Sequence, residues 1–155
     1  MKLLNTRTYI AELAAAGRRH NALLTLFKGF IEHAKHLAAK EYPLKGIAIA
    51  PDGSTGFTAR FLDVAARFTF VHDSESGLGV IHVSDVSMGD SEPSPFWSLH
   101  FSETGEVQDI EPRNEGAYNV GIDTDAAEIV LAAVHKLISK PSGPEALAVL
   151  GRRSE

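Results

Sequence analysis

FTFVHDSESGLGVIHVSD, residues 68–85, reads as two strands and the turn between them. Phe68, Phe70 and His72 alternate with Thr69 and Val71, the period of a half-buried strand. Asp73-Ser74-Glu75-Ser76-Gly77 is polar and ends in glycine, which is turn chemistry. From Leu78 to Asp85 alternation resumes, with Ile81 and Val83 on one face and Val80 and His82 on the other. A connection this short joins antiparallel neighbours, because a parallel pair needs a crossover of a dozen residues or more.

The pattern extends in both directions. Upstream, Ile47 and Ile49 alternate with small residues before the turn Pro51-Asp52-Gly53, and Phe57, Ala59 and Phe61 share one face of a returning strand. Phe57, Phe61, Val64, Ala65 and Phe68 also satisfy helical spacing, so a helix over 57–66 is the competing reading. Downstream, an acidic loop from Val86 to Pro95 precedes a strand whose Trp97, Leu99 and Phe101 oppose Phe96, Ser98 and His100. Thr104-Gly105 then turns the chain into Glu106–Glu111. The segments make an antiparallel meander of about five to six strands.

Helices flank the meander. From Thr8 to Tyr42 there is no proline, and Leu23, Phe27, Phe30, Ile31, Ala34, Leu37 and Ala38 recur at three- and four-residue steps. Asn5 or Thr8 caps the start, Gly17 is a candidate break, and Pro43 ends the run. A second helix begins at Asp123 or Thr124 and carries the stripe Ile129, Val130, Ala133, Val134, Leu137 and Ile138. The fold class is therefore α+β: a long N-terminal helix, the meander, and a C-terminal helix packed on the sheet. Residues 1–140 form one domain; 141–155 read as a linker, a short helical turn and a frayed tail.

Composition narrows the function classes. The chain has 155 residues, is 44% hydrophobic and 23% charged, and contains no cysteine. Disulfides, thiolate metal sites and a cysteine nucleophile are excluded. No apolar run approaches the length of a membrane span, and the opening MKLLNTR lacks an apolar signal region, so a cytoplasmic protein without a membrane role is expected. The basic residues of the first helix spread over its polar surface without aromatic interleaving, which argues against nucleic acid.

Chemical motifs are sparse. No Gly-x-Ser-x-Gly elbow appears, and the glycine pairs at 53–56 and 77–79 lie between strands rather than opening a helix, so no nucleotide or other cofactor is implied. His72, His82 and His100 sit on neighbouring strands. If His72 pairs with Val80, then His72 and His82 are diagonal neighbours on one face, and His100 can join them as metal ligands. Glu32, His33 and His36 match neither the zinc-peptidase nor the di-iron helix spacing and read as an exposed polar face.

Charge is divided along the chain. Residues 1–72 carry ten Lys and Arg against five Asp and Glu, and residues 73–155 carry five against fifteen. Such a division steers and orients partners. The expected function is a non-enzymatic interaction module that meets a basic protein through acidic loops, using Asp85, Asp90, Glu92, Glu103, Glu106 and Asp109, with Trp97 as an aromatic anchor. Phenylalanines exposed on the mixed sheet face, or the long helix, would support a homodimer. The alternatives are metal binding or hydrolysis at the strand histidines, and an apolar-ligand pocket between sheet and helix lined by Phe27, Phe30, Phe68 and Phe70.

Overall fold

The computed structural model describes residues 1–89 and 94–139. Helix α1 (Thr6–Lys35) ends in a 3-10 turn (His36–Ala38). Strands β1 (Ile47–Pro51), β2 (Gly56–Phe61), β3 (Val64–Asp73), β4 (Leu78–Asp85) and β5 (Pro95–Phe101) follow, then helix α2 (Asp123–Ser139). The strands form one antiparallel sheet in the order β1-β2-β3-β4-β5. The α+β arrangement is as expected from the sequence. The final segment, Glu106–Glu111, is not a named strand; it joins the sheet edge through an isolated bridge from Val107 to Phe101. The tail proposed for 141–155 lies outside the described residues.

Helix α1 runs unbroken through Gly17. The roughly 1 kcal/mol penalty of one glycine is small beside the helix-forming residues on either side, and Asn5 caps the start by accepting the Thr8 N–H at 2.8 Å. Residues 57–66 are a hairpin, not a helix: Phe61 pairs with Val64 across a turn of Leu62 and Asp63. The period-two reading wins because Phe57, Ala59, Phe61, Val64, Ala66 and Phe68 then all face the same way.

That face is the core. Ile47, Phe57, Phe68, Phe70, Ile81, Val83, Leu99 and Phe101 lie beneath Leu23, Phe27, Phe30, Ile31, Ala34 and Leu37 of the first helical segment and Ile129, Val130, Ala133, Val134 and Leu137 of α2. The Phe57 and Phe68 rings stack with centroids 4.6 Å apart, and Phe27 stacks on Phe70 at 5.4 Å. The opposite face carries Thr58, Arg60, Arg67, Thr69, His82, Ser98 and His100, a mixed surface that meets water. Every ring considered for exposure on that face (Phe57, Phe61, Phe68, Phe70) is on the helix side instead, so the sheet route to a homodimer loses its apolar patch.

Gly79 pairs with Phe101 at the end of β4. A Cβ there would lie 2.3 Å from Phe101 Cζ, and the ring is fully buried and cannot swing away. Gly79→Ala is therefore expected to destabilise by about 1–3 kcal/mol through overpacking, read as a lower urea midpoint at unchanged m-value.

Candidate interaction surface

Helix α1 is thirty residues long, about 45 Å at 1.5 Å per residue. Its buried residues begin only at Leu23. The preceding turns, Thr6 to Ala22, extend about 25 Å beyond that point. The last ties to the sheet end are made by Arg19, whose Nε donates to Glu103 Oε1 at 2.9 Å, and His20, whose Nδ1 lies 3.3 Å from His72 Nδ1. Before them the helix is open to solvent, yet its apolar residues continue. Ile10 and Leu13 lie one turn apart on one side of the helix, and Leu24 continues two heptads from Ile10. Ile10 is 63% exposed and Leu13 70%.

The helix leaves the sheet beside its acidic turns. The β3–β4 turn contributes Asp73 and Glu75, and the turn after β5 contributes Glu103 and Glu106. Asp73 is held below the usual carboxylate range by the Ser76 hydroxyl and then by the Glu75 backbone N–H, both donating to it. The charge division along the sequence is thus folded back on itself here: basic Arg19 meets acidic Glu103, and Gly77 packs under the Arg19 side chain.

The sequence-predicted partner residues do not form one cluster. Glu103 and Glu106 lie at the helix-exit end. Asp85 ends β4 at the opposite end and caps Ser87 through its N–H and hydroxyl. Asp109 grips His100 on the sheet edge, with Nδ1 to Oδ2 at 2.9 Å and the His100 backbone N–H on Oδ1. Trp97 is on the core side of β5 and half-buried, with Lys136 of α2 over its ring at 5.1 Å. Asp90 and Glu92 lie outside the described residues.

The strand histidines do not converge. His72 pairs with Gly79, not Val80, and Thr69 pairs with His82. This single-residue difference in register sends His72 to the helix side, while His82 and His100 stay on the open face. His82 bonds Ser98 Oγ at 2.8 Å.

Nor does the pocket expected among Phe27, Phe30, Phe68 and Phe70 exist. All four rings are packed against one another or against neighbouring rings and buried. A groove of about 230 Å³ lies elsewhere, between β5, the 107–119 arm and α2, lined by Trp97, Ile110, Tyr118, Ile129, Glu128 and Lys136. Its wall is fixed by charge. Asp125 is 1% exposed and accepts from Arg113 Nη2 at 2.6 Å and from the Asn119 N–H at 3.0 Å. The Arg113 guanidinium, raised further above its ordinary value by the Asp125 hydrogen bond, lies 4.1 Å over the Tyr118 ring. Tyr118 donates to Glu128, which raises the phenol's pKa.

The apolar stripe legible in the sequence begins at Leu23 and leaves out the free half of α1. The available signal was length: strands of five to ten residues span about 17–33 Å, too short to cover a thirty-residue helix. No helix among the described residues is long and apolar enough to cross a membrane. Comparison with family models, curated proteins and solved structures yields no match to this chain.

Proposed function

We propose that this protein is a non-enzymatic interaction module, and that its docking element is the free half of α1 together with the acidic turns at its base. The observation that carries the reading is the exposure of Ile10 and Leu13 on a helix whose other half buries its apolar face in the core. A hydrophobic strip on a rigid, solvated helix favours a partner that covers it. The occupant with the best charge match is a second copy. Residues 1–22 carry Lys2, Arg7, Arg18 and Arg19 against Glu12, and the turns at the base carry Asp73, Glu75, Glu103 and Glu106. Two free halves laid antiparallel about a two-fold axis place Lys2 and Arg7 of each copy near the acidic turns of the other. The basic partner expected for the acidic loops is then the chain itself. A cytoplasmic setting belongs to the same reading and is supported by a chain without cysteine.

Charge reversal tests this directly. The double variant Glu103→Lys, Glu106→Lys is expected to weaken self-association at least about tenfold at low salt and to lose most of its salt dependence. Dissociation constants from sedimentation velocity at two ionic strengths would show it. Equal constants for variant and wild type would remove the acidic turns from the interface.

The groove beside Trp97 supports a second, narrower reading: a small ligand with an aromatic or apolar body and one charged group, placed between Glu128 and Lys136. Such a ligand would raise the melting temperature of the wild type and not of Trp97→Ala; a screen of such compounds without any shift would end it.

A further inference from the structure

His33 and His36 occupy one face at the C-terminal end of the first helical segment, and Asp123 opens α2 ninety positions from His33. The packing of the helices brings the three together. His33 Nδ1 and His36 Nδ1 each lie 3.0 Å from the same oxygen, Asp123 Oδ1, and one ligand-capable atom from each residue lies within 4.8 Å of the others. The second nitrogen of His33, Nε2, lies 3.2 Å from the carbonyl oxygen of Gly121.

Both neighbours of the His33 ring are acceptors. A neutral imidazole has one N–H and can satisfy only one of them. His36 Nδ1 approaches the same carboxylate oxygen, whose two lone pairs can receive both rings. A cation among the three groups removes the conflict. It takes the Nδ1 lone pairs of both rings and the charge of Asp123. The Nε2–H of His33 is then free to donate to Gly121, the way a metal-bound imidazole is usually oriented by a backbone carbonyl.

We propose that His33, His36 and Asp123 form a binding site for a first-row divalent transition ion, Zn²⁺ foremost. Two imidazole nitrogens and one carboxylate oxygen are a donor set such ions favour, and three protein ligands leave a fourth position for water. Bonds of about 2.0–2.1 Å in tetrahedral geometry place donor atoms about 3.3 Å apart; the two nitrogen–oxygen separations of 3.0 Å need to open only slightly, and the three groups already lie within 4.8 Å of one another. His36 is 65% and Asp123 58% exposed, so the ion enters from solvent without any part of the core opening. The site is at the far end of α1 from the free half and does not depend on self-association.

The competing account is a purely electrostatic clasp, with protonated histidines on Asp123 and no ion. Titration of chelator-treated protein with ZnCl₂ by calorimetry, and with CoCl₂ by visible absorption, separates the two. The expected result is one ion per chain, a micromolar or tighter constant, and the d–d bands of a low-coordinate cobalt site. His36→Ala and Asp123→Asn are each expected to weaken binding at least tenfold while both metal-free variants keep the helical circular dichroism of the wild type. His135→Ala, at a histidine elsewhere on the surface, is expected to bind as the wild type does. Absence of saturable binding up to millimolar ion, or binding that survives both His36→Ala and Asp123→Asn, would overturn the assignment.

Discussion

Asp125→Ala is expected to destabilise the fold by about 2–4 kcal/mol, because the buried carboxylate is the acceptor of one charged and one backbone donor. Three things fail together. Arg113 loses its shortest ionic partner, the Asn119 N–H loses its acceptor, and the first turn of α2 loses a carboxylate that favours the positive end of the helix dipole. Set against a total stability of about 5–15 kcal/mol for a domain, this is a large share. The loss is also local in character. Asp125 is the buried tie between the 107–119 arm and α2, beside the exposed Tyr118–Glu128 bond, so amide exchange should accelerate first at Arg113 and Asn119. Asp125→Asn keeps the shape and one acceptor and should cost less. A urea midpoint for Asp125→Ala within error of the wild type would contradict the role given to this contact.

Phe27→Ala is expected to cost about 3–5 kcal/mol by a different route, transfer free energy plus the cavity left behind. Phe27 is fully buried and touches the rings of Phe30, Phe57 and Phe70 at centroid distances of 5.4–6.3 Å. It is the residue through which α1 grips the centre of the sheet. The same truncation at Leu13, on the same helix, is expected to change monomer stability by less than about 0.5 kcal/mol, as for other exposed positions. Equilibrium unfolding at low protein concentration would compare them. Equal losses at both sites would mean that Leu13 is packed within its own chain, and the free half would not be free.

Much of the architecture was legible because local patterns and tertiary packing agree. Alternation in 68–85 marked β3, β4 and their turn, and the Trp97-Leu99-Phe101 strip named the inward face of β5. Register was legible only in part. Placing the Phe68–Phe70 face with the Ile81–Val83 face already puts an odd-numbered residue opposite His72, which excludes Val80; choosing Gly79 among the odd residues depends on the turn geometry. That parity is enough to disperse the strand histidines. The 57–66 ambiguity was of another kind, since an apolar residue every four positions fits both periods. The side-chain clusters were harder still. Asp125 reads as an ordinary first-turn acid until Arg113 is placed on it, and His33 and His36 have no signature without Asp123. Each of these sites is made by residues far apart in the chain, where local spacing holds no information.

The exposed half of α1 leads to the most direct measurement. Sedimentation equilibrium of the wild type and of the double variant Ile10→Glu, Leu13→Glu gives the mass of each in solution. The expected result is a wild type at twice the chain mass and a folded variant at the chain mass, with unchanged helical circular dichroism. A wild type that stays at the chain mass at concentrations of about 100 μM, weaker than the −5 to −6 kcal/mol such a constant represents, would contradict self-association through this helix.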